Sequence, residues 1–242
     1  MTLGGPMLTV TFSSTLENCI KVTIDHFKGA LKKEPSFTLF EDKSFKPVIK
    51  KLENGGYELI SGKTKVKTGA LKDGWEVSYW YEDKLLTKSG WRTTSLIEEE
   101  EWLNKNKKIS QEGTRFFAES DNGDNTFIRE MLNIGVGEYI YGFGEKFSTF
   151  VKNGQTVEVW NNDGGTCSEQ SYKSIPFYVS SRNYGVFVNH PENVTFEVAS
   201  ETVSKVAFTV QGQHMEYFVF IKICLQREHK KILCYVISDV GI

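Results

Sequence analysis

Between Asn161 and Lys173 the chain gathers Asn161, Asn162, Asp163, Thr166, Ser168, Glu169, Gln170 and Tyr172 in one short stretch. Together these side chains donate and accept hydrogen bonds, which is what a polyhydroxylated ligand requires. Gly164-Gly165 in the middle lets the backbone turn sharply or approach a ligand closely. A connection of about a dozen residues without periodicity is longer than most in a compact domain, and such segments are usually functional or disordered. The same composition suits a solvated hairpin loop, and composition alone favours that plainer alternative.

Other groups with chemical potential are weaker. Glu98 to Glu101 are four consecutive carboxylates, but no histidine lies near them to complete a metal site. Ser95 to Lys107 instead has a serine cap, acids early and lysines late, the order a helix dipole favours, and predicts a short helix. Asp121-Asn-Gly-Asp-Asn125 lacks the spaced ligands and closing glutamate of a calcium loop and predicts a turn. Gly135-Val-Gly137 and Gly142-Phe-Gly144 have no third glycine and no following βαβ pattern, so they are no dinucleotide fingerprint. Glycines inside strands mark bulges or close backbone approach. His26, at a strand exit, is assigned no role. His190, which precedes Pro191 at a strand end, and His214 sit in no recognisable motif.

The elements that would position these residues are strands. Leu8 to Phe12 and Cys19 to Ile24 alternate apolar and polar, placing every second side chain against a core. Tyr57 to Thr68 and Gly74 to Tyr81 are β-branched or aromatic runs bounded by Asn54-Gly-Gly56 and Lys72-Asp-Gly74, both turn chemistry. Thr126 to Ile134 alternates. Thr156 to Trp160 and Ile175 to Ser181 flank the polar stretch, and Tyr184 to Asn189 follows. Val194 to Val198, Val203 to Val210 and Glu216 to Phe220 complete the series. Short strands with frequent turns predict an all-β fold, a large antiparallel β-sandwich with one short helix near 95–107. Trp75, Tyr79 and Trp80 fit core or sheet-surface packing better than a stacking platform.

Composition limits the partners. With 242 residues the chain can bury a substantial core. A net charge of −2, with lysines dispersed among acids, gives no electrostatic case for nucleic acid or an anionic membrane. No apolar run approaches the ~18 residues of a membrane-spanning helix, and the opening residues do not resemble a signal peptide. Cys19, Cys167, Cys224 and Cys234 have no metal-ligand spacing and form no dense disulfide framework. A reducing, cytoplasmic location is expected, with no cofactor and no metal.

Trp160-Asn-Asn-Asp-Gly-Gly-Thr166, Ser168-Glu-Gln-Ser-Tyr-Lys-Ser-Ile-Pro-Phe-Tyr178 and Tyr184-Gly-Val-Phe-Val-Asn-His-Pro191 resemble the amino-terminal β-domain of glycoside hydrolase family 31. Lys152-Asn-Gly-Gln-Thr-Val-Glu158, leading into the tryptophan segment, is similar to the α-xylosidase branch. The resemblance runs from Asp25-His26-Phe27 through Tyr141-Gly-Phe-Gly-Glu145 to Glu216-Tyr-Phe-Val-Phe220.

The resemblance implies a galactose-mutarotase-like sandwich over residues 1–220 and an α-xylosidase- or α-glucosidase-like retaining hydrolase. It also implies that Asp163 hydrogen-bonds sugar hydroxyls at the rim of the substrate pocket. In the family both catalytic aspartates lie on a (β/α)8 barrel, in segments that this sequence does not contain. No catalytic residue is therefore assigned, and the chain alone is expected to be inactive. The expected partners are an α-xyloside or α-glucoside and the missing barrel, with homo-oligomerisation left open. Gly164-Gly165 stands where other branches carry threonines, so no second side-chain contact is expected there. Residues 221–242 depart from the pattern and are expected to be an atypical tail, from a frameshift or truncation. A stand-alone carbohydrate-binding module is one alternative; behind it stands an aldose epimerase, implied by the shared architecture with mutarotases, whose acid and base are usually histidine with glutamate and for which His190 and His214 are the candidates.

Overall fold

The computed structural model describes residues 7–26, 39, 42, 44–69, 74–98, 126–160 and 171–221. In chain order the strands are β1 (Thr9–Leu16), β2 (Cys19–Asp25), β3 (Val48–Lys51), β4 (Tyr57–Ser61), β5 (Thr64–Thr68), β6 (Val77–Tyr81), β7 (Lys84–Ser89) and β8 (Ser95–Glu98). They continue with β9 (Thr126–Asn133), β10 (Ile140–Lys146), β11 (Gln155–Val159), β12 (Ser171–Ser180), β13 (Tyr184–Val188), β14 (Val194–Val198), β15 (Lys205–Gln211) and β16 (His214–Ile221). They form three antiparallel sheets: β1-β2-β16-β13-β12-β10, β11-β14-β15-β9-β8 and β3-β4-β5-β6-β7. No helix occurs among the described residues.

The first two sheets make the sandwich. Phe143 and Tyr217 from one meet Phe196 and Phe208 from the other, with ring centroids 4.7 Å apart for Phe143–Phe196 and 5.1 Å for Phe208–Tyr217. The third sheet closes onto the same core through Leu59, Val66, Val77, Tyr79 and Leu86. The Tyr79 and Tyr217 hydroxyls meet at 3.0 Å, which partners both phenols where water cannot. Alternation accounts for β14 and for β2 from Ile20 onward, whose Ile20, Val22 and Ile24 face inward. It does not describe β13 and β16, which are buried on both faces. Their Phe187, Phe218 and Phe220 join Cys19 in a second apolar cluster on the outer face of the six-stranded sheet. Central strands covered on both sides carry near-continuous apolar runs, and the alternating pattern is lost.

Two expectations are corrected. The helix predicted near 95–107 does not begin at Ser95. Ser95–Glu98 is β8, paired with β9 in the register Ser95↔Arg129 to Glu98↔Thr126. Leu96 packs against the core, and pairing to a neighbouring strand outweighs the local helical preference. Residues 99–107, and the turn expected at 121–125, lie outside the described residues. Tyr57 to Thr68, taken as one run, is a hairpin: Gly62 sits at φ +60 and turns β4 into β5, with Ser61 opposite Thr64. A Cβ at Gly62 would lie 2.5 Å from the Glu17 side chain, because this turn packs on the β1–β2 turn. There Asn18, itself at positive φ, accepts hydrogen bonds from Lys63 N and Thr64 Oγ1.

One core residue makes stability depend on pH. Glu130 of β9 is 2% exposed, Thr94 Oγ1 donates to its Oε2 at 2.5 Å, and its Oε1 has no hydrogen-bond partner. Burial pushes its carboxyl up to about 7, against the opposing pull of the Ser89 and Thr94 hydroxyls and the Lys205 ammonium. An acid whose folded pKa exceeds its unfolded value binds more protons when folded. The penalty is therefore absent below about 4.5, grows as pH rises through 7, and is complete above it. Glu130→Gln keeps the shape without the charge. It is expected to raise stability by about 1–3 kcal/mol at pH 8 and to change it little at pH 5. Parallel melting-temperature profiles for the two proteins across that range would contradict this.

Candidate functional site

β11 and β12, the strands flanking the polar stretch, are not a hairpin pair. β11 is the edge of the five-stranded sheet, hydrogen-bonded to β14, whereas β12 lies in the six-stranded sheet between β10 and β13. The connection after Trp160 thus crosses from one layer of the sandwich to the other, and the hairpin alternative fails on topology. Residues 161–170, Asp163 among them, lie outside the described residues. What the structure describes is the frame from which that stretch departs and to which it returns.

The frame owes its shape to Tyr141-Gly-Phe-Gly-Glu145. Gly142 at φ +121 and Gly144 at φ +86 flank Phe143, itself at φ +67. The pairing of β10 with β12 jumps from Gly142↔Tyr178 to Gly144↔Ser174, so Ile175-Pro176-Phe177 together oppose Phe143. This bulge turns Phe143 fully into the core, against Tyr178 and Phe196. Pro176, which has no N–H for a ladder, is compatible with a bulge. A Cβ at Gly144 would lie 2.0 Å from the Lys173 carbonyl oxygen. Only glycine permits that approach, and it brings the end of β10 against the start of β12.

Lys146, the last residue of β10, stands between the two feet of the crossing. Its ammonium donates to the carbonyl oxygen of Glu158 in β11 at 2.7 Å and to Ser174 Oγ in β12 at 3.0 Å. Ser174 Oγ in turn donates to the carbonyl oxygen of Trp160 at 3.2 Å. Nearby, Lys152 is only 3% exposed and donates to Ser148 Oγ at 2.7 Å. Burial, and secondarily the Lys146 charge, hold its ammonium below the ordinary lysine range. The surface at this end is aromatic: Trp160, Phe147 and Phe150 are exposed, and Phe150 lies 5.0 Å from Tyr141, ring to ring.

Behind the frame is a buried anchor. Glu138, whose side chain is wholly covered, accepts from Ser180 Oγ at 2.5 Å and Tyr184 OH at 2.8 Å through Oε1. Its Oε2 accepts from Gly135 N at 2.8 Å and lies 3.1 Å from Arg182 Nε. Asn153, from the Asn-Gly turn before β11, donates to Glu138 O and accepts from Ile140 N. The start of β10 is thereby fixed to the start of β11. Neither Glu138 nor Lys146 stood out in the sequence. The available signal was Gly-Phe-Gly, which marks a bulge and so a re-aimed side chain just after it.

His214 Nδ1 is 2.7 Å from Asp25 Oδ1, at the strand ends where His26 meets Gln213. His190 is buried. Glu216 has both oxygens engaged, one by Asn189 Nδ2 at 2.8 Å and the other by Lys21 at 2.7 Å. Glu197 and Glu201 are both paired to Arg129. Among the described residues no three His, Cys, Asp or Glu side chains are grouped to hold a metal ion.

Comparison with known proteins agrees with this architecture. Residues 9–197 match the family described as the glycosyl hydrolase 31 N-terminal galactose mutarotase-like domain. The chain belongs to this family. The family 31 domain is 37% identical over 212 residues to alpha-xylosidase XylQ of Lactiplantibacillus pentosus, covering 87% of this chain and 24% of that protein. An alpha-xylosidase of Emericella nidulans is 58% identical over 88 residues, 36% of this chain and 11% of that one. The chain thus spans about a quarter or less of the length of these relatives. A Flavobacterium johnsoniae GH31 dextranase complexed with glucose superposes with a TM-score of 0.69 at 19% identity, over 100% of this chain and 28% of that one. A GH31 alpha-xylosidase from a soil metagenome, complexed with xylose, gives 0.66 at 14%, over 90% and 30%. These two likenesses establish the fold.

Proposed function

We propose that this family 31 domain serves an α-xylosidase- or α-glucosidase-type retaining hydrolase. In that role it lends a loop to the rim of the substrate pocket and packs on the (β/α)8 barrel that performs the chemistry. The observation that carries the proposal is the 212-residue match to an alpha-xylosidase, which extends across 87% of the chain. Asp163 is the residue proposed to meet the sugar, as an ionised carboxylate accepting from two hydroxyls. The frame is compatible with this, since the residues before and after the stretch bearing Asp163 meet where Ser174 Oγ donates to Trp160 O, with exposed aromatic rings nearby.

Retaining hydrolysis needs two carboxyl groups about 5–5.5 Å apart across the scissile bond. The carboxylates described above are instead bound to arginine, lysine, histidine or buried hydroxyls. The purified 242-residue chain is expected to release no aryl alcohol from an aryl α-xyloside. Turnover that co-purifies with the chain would overturn the assignment of chemistry to a barrel. In calorimetric titration with xylose and xyloglucan oligosaccharides, a half-site should bind no better than about millimolar. Tighter binding would favour a self-sufficient carbohydrate-binding module.

A further inference from the structure

We propose that Lys146 is a positioning residue, its ammonium fixing the two points between which the Asp163-bearing stretch is strung. The proposal rests on the pocket-rim role of Asp163 given above. The need for such a residue follows from topology. Because β11 and β12 belong to different sheets, no strand ladder ties the residues before the crossing to those after it. Lys146 supplies that link. It is paired in register with Ser171, the first residue of β12, while its Nζ reaches across the layers to Glu158 O. Through Ser174 the link continues to Trp160 O, the last described atom group before the crossing.

The residue type suits the task. An ammonium has three donors, and charge-assisted hydrogen bonds are roughly twice as strong as neutral ones. A methionine would fill the same volume and hold neither foot. The close approach at Gly144 places the lysine stem beside β12, and the bulge sets its direction, so the preceding run and this lysine act together. Placement matters because a carboxylate displaced by about 1 Å from its productive position can cost about a hundredfold in rate.

The test compares wild type, Lys146→Met and Lys146→Arg in the full 242-residue chain by hydrogen exchange at Glu158–Trp160 and Ser171–Ser174. Lys146→Met is expected to speed exchange at both feet about ten- to a hundredfold, the effect of losing a charged hydrogen bond, and to leave β13 and β16 unchanged. Lys146→Arg, which keeps the charge and donors, should restore most of the protection. Foot exchange in Lys146→Met within about twofold of wild type, or equal behaviour of the two variants, would overturn the proposal. Should Lys146→Met lose protection throughout, Ser174→Ala removes one arm alone. Accelerated exchange at Trp160 then supports the clamp, and unchanged exchange sinks it. Titration of Asp163→Ala with xylose separates the two readings. If that variant binds like wild type while Lys146→Met loosens the feet, the clamp stands and the pocket role of Asp163 falls.

Discussion

Replacing Gly144 by valine is expected to destabilise the domain by roughly 3 kcal/mol or more, enough to leave much of it unfolded. Two costs add. A β-branched residue at φ +86 is strained wherever it stands, and here its Cβ would also meet Lys173 O at 2.0 Å and Ile175 N at 3.2 Å. Both are backbone atoms, Lys173 O within the β10–β12 ladder and Ile175 N beside its bulge, so neither can swing aside as a side-chain tip would. Gly154→Ala is the control, since Gly154 is also at positive φ (+84) but faces open space. It should cost only about 1 kcal/mol. Denaturant midpoints for the two variants check the comparison. Equal shifts would mean that backbone strain alone matters and that the close approach contributes nothing.

Glu138→Ala should be as severe, about 3–5 kcal/mol, because removing the buried carboxylate leaves the buried Ser180 and Tyr184 hydroxyls without their acceptor, each worth about 1–3 kcal/mol. Four donors lose their acceptor at once: Gly135 N, Ser180 Oγ, Tyr184 OH and Arg182 Nε. Gln in the same place retains one acceptor oxygen and should recover part of the loss. The damage should spread to the frame, since the backbone of Glu138 also receives Asn153. Chemical denaturation measures the first effect, and exchange at Gln155–Val159 the second. A loss under about 1 kcal/mol would show that water replaces the carboxylate at no great cost.

Much of the architecture was legible because strands announce themselves locally. β2 and β14 alternate, Asn54-Gly55-Gly56 and Glu82-Asp83 turn, and a two-residue period with frequent turns admits little besides a sandwich. The same locality explains the failures. Ser95 to Lys107 carries helix-like capping and charge order, but Ser95–Glu98 lies alongside β9, and that pairing is a property of a segment some thirty residues away. β11 and β12 both read as strands flanking a polar stretch. Nothing in either says that β11 will pair with β14 instead.

By itself, then, the sequence determined most of the extended segments and the family motifs they carry. Alternation reports the face a residue occupies, and turn residues report where the chain reverses. The tertiary structure alone decided which strands share a sheet, that the Asp163 stretch bridges two layers, and that Lys146 and Glu138 hold its frame. Those outcomes depend on donors and acceptors far apart in the chain, as Gly135, Ser180, Arg182 and Tyr184 are around one carboxylate. A buried charge is tolerable only where folding assembles such partners, and their assembly is not written in any local pattern.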